Sequence, residues 1–298
     1  MQSGELAALG TAICWTFSSL AFETAARRVG SLSLNLARVT LAFGWLTVLA
    51  LATRGQLLPT DASTAQWGWL ALSGVVGIVL GDLCTFRAYV EIGARRTMVV
   101  STATPIFTAG LAWLALGEQP TVAELLGMSV IVAGVVLAVR GPSPRLPGTE
   151  TQQGIRLVRG VVLGLGGSLG QAGGLLLSKH GMDGYAAVPA TQIRMLAGVA
   201  GFAIVVTAAG WWRRFGDAAR DRHAMGFTAI GALLGPGFGI ALSLYAVTHA
   251  KAGVAACLMS LSPIMIIPLV VARREPVGAA GVVGAGLAIG GVAILALA

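Results

Sequence analysis

The stretch Ala94–Val139, ARRTMVVSTATPIFTAGLAWLALGEQPTVAELLGMSVIVAGVVLAV, decides the fold, because a second version of it follows. Residues Ala250–Leu295 read AKAGVAACLMSLSPIMIIPLVVARREPVGAAGVVGAGLAIGGVAIL. Each copy has a small-residue approach, a proline within an apolar run (Pro105, Pro263) and a carboxylate about one helix later (Glu118, Glu275). A glycine-rich apolar run closes each, with Gly127 matching Gly284 and Gly134 matching Gly291. Working outward, an offset of 156 carries Gly4 onto Gly160, Gly10 onto Gly166, Arg38 onto Arg194, Gly81 onto Gly237 and Tyr89 onto Tyr245. The whole chain is therefore a duplication, with halves 1–140 and 159–298 joined by a Pro-, Gly- and polar-rich linker, 141–158.

Composition sets the solvent. Hydrophobic residues make up 56%, charged residues only 11%, and mean hydropathy is +0.82. A soluble domain carries roughly 25% charged residues, so a water-soluble globule is excluded. Many of the 42 glycines lie inside apolar runs at four-residue spacing, as in Gly166/Gly170/Gly174 and Gly231/Gly235/Gly239. Such spacing lines one helix face and lets helices approach closely in lipid. Cys14, Cys84 and Cys257 show no metal-like spacing and read as small buried hydrophobes. Met1–Phe22 lacks a basic n-region and carries Glu5, so it reads as a span and not as a secretory signal.

A bilayer span needs about 20 apolar residues. The chain divides accordingly into helices near 5–26, 32–53, 67–90, 97–117 and 122–140, then 159–180, 186–210, 224–248, 253–272 and 277–297. The fold class expected is all-α, with ten transmembrane helices. Five spans per half is an odd number, so the second half enters the membrane inverted. Inverted repeats of this kind mark secondary transporters. Loops after helices 1, 3, 5, 7 and 9 hold fourteen Arg residues, whereas those after helices 2, 4, 6 and 8 hold only Arg54, Lys179 and Lys251. The net charge of +8 thus orients the protein and gives no reason to expect nucleic acid. By the positive-inside rule the arginine-rich side is cytoplasmic, and both termini of a plasma-membrane (inner-membrane) protein are expected outside.

The paired stretches quoted above, with Arg in helices 2 and 7, resemble the EamA-type branch of the drug/metabolite transporter superfamily, and the resemblance covers essentially the whole chain. It implies a ten-helix carrier of small metabolites, expected to be an exporter, that works without ATP hydrolysis. It also implies a central cavity lined by helices 1, 3, 4, 6, 8 and 9. The second copy departs from the pattern, adding Pro268 and replacing Leu-Gly-Glu-Gln-Pro by Arg-Arg-Glu-Pro.

Ionisable groups inside spans are functional candidates by default. Asp82 is the single acid well inside a span. Its repeat partner is Phe238, and an unpaired carboxylate there is a candidate proton-coupling site. Arg87 lies at i,i+5 from it, on another face, and is expected to reach toward Glu91. The duplicated Arg38 and Arg194 read as structural, as do Glu118 and Glu275 at helix N-termini, where a carboxylate complements the dipole. Pro105 and Pro263 remove a backbone donor in mid-helix and read as hinges or gates. Candidate substrate-binding residues are Trp15, Ser18, Ser19 and Phe22 on one face of helix 1, with Gln171 and Ser178 on helix 6. Phe86 and Tyr89 on helix 3, Ser101 on helix 4, and Phe238 and Tyr245 on helix 8 complete the set.

A mostly apolar, aromatic cavity suits an amphipathic or zwitterionic metabolite such as an amino acid better than a sugar phosphate or nucleotide sugar. The expected partners are a small-molecule substrate and the lipid bilayer, and the expected state is a monomer or weak homo-oligomer. No cofactor and no metal are expected. His180, His223 and His249 sit at helix ends without HExxH spacing, which argues against an intramembrane enzyme. GLGGSLG at 164–170 misses the dinucleotide spacing. No charged ring or carbonyl-filter sequence supports a channel.

Overall fold

The computed structural model describes residues 3–116, 121–140, 149–182, 184–249, 258–259, 261–272 and 278–297. Glu118 and Glu275 lie outside the described residues. Every regular element among those described is helical. The first half runs α1 (Ser3–Val29), α2 (Ser31–Arg54), α3 (Thr64–Ser73), α4 (Asp82–Ser101), α5 (Thr104–Leu116) and α6 (Val122–Arg140). The second runs α7 (Glu150–Met182), α8 (Ala187–Ala208), α9 (Trp212–Arg220), α10 (Arg222–Ala232), α11 (Ile240–His249), α12 (Ser262–Ala272) and α13 (Ala279–Leu297). Among the described residues, six stretches are long and apolar enough to cross a membrane: Ser3–Val29, Ser31–Arg54, Thr64–Ser101, Val122–Val139, Glu150–Met182 and Ala187–Ala208. Helices are what such sequences must form in lipid, where every backbone N–H and C=O has to be satisfied internally.

Wide π-type turns join α3 to α4 (Gly74–Gly81) and α10 to α11 (Leu233–Gly239). These two segments overlap under the sequence repeat. The second contains Pro236, whose missing N–H and bulky ring an ordinary α-turn accommodates poorly. π-turns of this sort recur at functional sites, and Asp82 follows directly on the first.

Several expected boundaries change. Gly93 adopts φ 81, ψ 161, a conformation open to glycine and strained for other residues, so the third span ends there and the next starts at Ala94. The helix expected over 97–117 breaks at the turn Thr102–Ala103. Pro105 is therefore the second residue of α5, where a missing N–H costs nothing; it does not kink a continuous helix. Pro263 stands in the same place in α12. The turns before the two prolines match: Ile106 N–H donates to Ala103 O at 3.0 Å, and Ile264 N–H to Leu261 O at 2.9 Å. Part of the expected linker is helical, because α7 starts at Glu150 after a cap in which Thr149 and Gln152 exchange side-chain and backbone bonds. The loop 211–223 contains the short helix α9, followed by Asp221 capping α10 through the N–H groups of His223 and Ala224.

Glycine faces set the packing. Gly134 and Gly284 lie so close that a Cβ on either would sit 2.6 Å from the other's carbonyl oxygen, and a Cβ on Gly291 would sit 2.6 Å from Gly127 O. Helices α6 and α13 thus cross antiparallel through bare backbone. The same holds where α7 crosses the first π segment: a Cβ on Gly170 would meet Gly81 Cα at 2.6 Å, and one on Gly174 would meet Gly77 Cα at 2.7 Å. The Ser73 hydroxyl donates to Gly174 O at 2.7 Å across this seam. On α1, the Ser18 hydroxyl donates to Gly231 O at 2.8 Å, tying α1 to α10. Close approach of this kind supplies the dispersion contacts that hold membrane helices together.

Candidate substrate cavity

A cavity of about 1080 Å³ lies among these helices. Asp82 lies in its wall, held where the first π segment gives way to α4. Asp82 is buried (6% exposed) and forms an ion pair with Arg38 of α2, itself 5% exposed. The expectation of an unpaired carboxylate is therefore corrected. Two helices close in sequence fold against each other, and a span carrying the duplicated arginine supplies the counter-ion. Gln171 of α7 donates from Nε2 to Asp82 Oδ1 at 3.0 Å and to Gly77 O at 3.2 Å. Burying one charge in such surroundings would be strongly unfavourable; a pair with added hydrogen bonds can persist.

Aromatic rings frame the pair. The Arg38 guanidinium lies 4.8 Å from the Phe86 ring centroid and 5.6 Å from that of Phe22, distances at which a cation is attracted to a ring face. Phe22 and Phe86 pack edge to face at 5.4 Å, and Phe86 and Tyr89 at 5.2 Å. Arg38 is thus engaged on its charged end by Asp82 and alongside by two rings.

Of the residues expected from the sequence, Trp15, Ser19, Phe22, Asp82, Phe86, Tyr89, Ser101, Gln171 and Pro263 line the cavity, and so do Arg38 and Arg194. Ser18 and Ser178 do not. Ser18 bonds Gly231, and the Ser178 hydroxyl meets that of Ser73 at 2.7 Å, so both fasten helices together. Phe238 and Tyr245 are also absent from the lining and are 48% and 44% exposed; Phe238 packs on Trp45 at 6.0 Å. Nothing is described of the Pro105 side chain. Ile240 and Ser243 take the wall that Phe238 and Tyr245 were expected to supply.

Sequence reasoning missed Met98, Thr102 and Ser262, which also line the cavity. Ser262 donates to Ala12 O at 3.1 Å and joins α12 to α1. Met98 contacts the Ser19 hydroxyl through sulfur at 3.0 Å. Among the described residues there is no cluster of three or more His, Cys, Asp or Glu side chains that could hold a metal.

Charge pairs hold the helix ends. Arg87 pairs with Glu91 at 2.8 Å, as expected from their spacing, and Arg159 of α7 approaches the same carboxylate at 3.7 Å. Arg28 at the end of α1 pairs with Asp221. Backbone N–H donation from Ala224, and then the Arg28 guanidinium, hold the Asp221 carboxyl below the ordinary carboxylate range. At other helix ends, the Tyr185 hydroxyl donates to Asp61 at 2.8 Å, and this bond is the chief cause of a depressed Asp61 pKa.

Comparison with known proteins places this architecture. A solved structure described as "Crystal structure of protein" superposes with a TM-score of 0.59 at 18% identity, over 99% of this chain and 96% of that one. At that identity the likeness concerns the fold alone. No curated protein sequence matches the chain. The model of the EamA-like transporter family matches twice, over residues 2–140 and 158–297. With that match spanning nearly its full length, this multi-pass membrane protein belongs to the EamA-like transporter family, a branch of the drug/metabolite transporters.

Proposed function

We propose that this transporter is a secondary carrier working by alternating access, in which two five-helix halves of opposite orientation rock around the Asp82 cavity. The observation that carries this reading is the cavity itself. It draws its polar centre from both halves: Arg38 and Asp82 from the first, Gln171 and Arg194 from the second. The antiparallel crossing of α6 and α13 supports the inverted arrangement. Gly127 and Gly284 are repeat equivalents, as are Gly134 and Gly291. Exchanging equivalents turns the contact Gly127–Gly291 into Gly134–Gly284, as a two-fold relation between halves requires.

The cargo is a small amphipathic metabolite, amino acids among them, since aromatic rings surround a compact polar centre. Asp82 is the group through which proton binding couples to transport: its pairing with Arg38 is released when the carboxyl takes a proton. The protein works in the plasma membrane with ten spans and both termini outside, and export is its physiological direction.

Solute counterflow in proteoliposomes tests this. A panel of amino acids and sugar phosphates is offered under an imposed pH gradient, with Asp82→Asn alongside. Saturable, trans-stimulated flux of amphipathic solutes, uncoupled from the gradient in the variant, is expected. Flux confined to phosphorylated sugars, or unsaturable flux, contradicts the reading, and an unimpaired variant removes the coupling role of Asp82.

A further inference from the structure

Arg38 and Arg194 occupy equivalent positions on α2 and α8, yet their surroundings differ. Arg38 has Asp82. The repeat equivalent of Asp82 is Phe238, which offers no charge and packs away from the cavity on Trp45. Among the described residues no hydrogen bond or ion pair ends on Arg194, and its Nε is buried without a partner. Its guanidinium lines the cavity, in room left by the missing side chain of Gly77: a Cβ there would lie 3.4 Å from Nη2. Arg194 as a whole is half-buried, and a guanidinium whose Nε is shut away without a partner is unfavourable. Asp82 is near enough to be felt electrostatically, but its carboxylate is already taken by Arg38 and Gln171. Arg38, Asp82 and Arg194 together leave one positive charge uncancelled at the centre, while Glu124, the other charged residue of the lining, accepts from the Thr121 N–H at the start of α6.

We infer that Arg194 is the anion-binding residue of this cavity and that the solute it receives is a monocarboxylate with an apolar or aromatic body. A carboxylate matches the fork of a guanidinium, accepting two N–H bonds at once. Trp15, Phe22 and Phe86 face the same space and suit the apolar body. A single uncancelled charge at the centre favours one negative charge over two. This deepens the carrier reading by naming the class of cargo, and the binding step can be tested apart from flux.

The test uses the purified full-length protein in detergent, with binding read by tryptophan fluorescence and by the shift in melting midpoint. The probes are 3-phenylpropionate, its neutral amide, and phenylphosphonate. We expect the acid to bind about tenfold or more tighter than the amide and tighter than the phosphonate. Arg194→Gln should abolish the preference for acid over amide, and Arg194→Lys should keep part of it. Equal binding of acid and amide, binding of neither, or a preference that survives in Arg194→Gln overturns the assignment. Phosphonate binding tighter than the acid overturns the monocarboxylate class. Acid binding that depends on Arg194, without uptake into proteoliposomes, would uphold the site and refute the carrier.

Discussion

Replacing Asp82 by asparagine removes the anion at the centre of the cavity and keeps its shape. Arg38 and Arg194 then face the same space as two cations without a counter-ion. Breaking a buried ion pair from one side costs about 3–5 kcal/mol, and Asp82 and Arg38 are 6% and 5% exposed, so that range applies. Replacing Arg38 by glutamine is the milder change. Asp82 keeps its bond from Gln171 at 3.0 Å and has Arg194 close by as a substitute cation. The loss is then about that of one hydrogen bond to a charged group, roughly 1.5–3 kcal/mol. The double variant removes both charges and should recover much of the stability lost in Asp82→Asn. In a chain of 298 residues, roughly 2 °C accompanies each kcal/mol. Thermal melts in detergent should therefore show a fall of about 6–10 °C for Asp82→Asn, about 3–6 °C for Arg38→Gln, and a double variant more stable than Asp82→Asn alone. A wild-type melt for Asp82→Asn, a larger loss for Arg38→Gln, or strict additivity would refute the shared-counter-ion reasoning.

Two further predictions rest on the scaffold. Gly170→Ala puts a methyl group 2.6 Å from Gly81 Cα and should destabilise by about 1–3 kcal/mol. Gly154→Ala, with nothing within 4 Å, should be neutral or gain up to about 1 kcal/mol from helix propensity; denaturant titration compares them. Asp221→Asn keeps a good cap and removes the charge that Arg28 and the Ala224 N–H favour. Because the folded pKa is depressed, the carboxylate's contribution is present above the ordinary carboxylate pKa of about 3.9 and is lost as pH falls through the lower folded value. Melting curves of wild type and variant should differ near neutrality and converge under acid conditions.

Much of the site was legible because a charge or amide in an apolar span has few uses. Asp82 and Gln171 stood out on that ground, and Trp15 because a ring at mid-span is not explained by the interfacial aromatic belt; all three line the cavity. The pairing of Asp82 with Arg38 was not legible, since it joins residues 44 apart across two helices and no spacing rule reaches that far. Helix 8 failed for a different reason. Spacing tells which residues share a face but not which way the face points. Phe238 and Tyr245 do share one, and it points outward. On helix 3 the buried charge of Asp82 fixes the inward direction; helix 8 has only Phe at that place. The hydroxyls divided similarly: Ser19 reached the cavity, whereas Ser18 and Ser178 were drawn to carbonyl and hydroxyl groups of crossing helices that approach through glycine. Pro105 and Pro263 each stand second in a half-helix and do not kink it, and before Pro105 the turn Thr102–Ala103 already ends the preceding helix.

Access to Ser101 tests the central claim most directly, because Ser101 lines the cavity and alternating access must expose it to each side in turn. With Cys14, Cys84 and Cys257 replaced by serine, Ser101→Cys is placed in sealed vesicles, and a membrane-impermeant maleimide is added from one side or the other. Labelling from both sides is expected, with each reaction slowed by a transported solute. Labelling from one side only, or from neither, would contradict it.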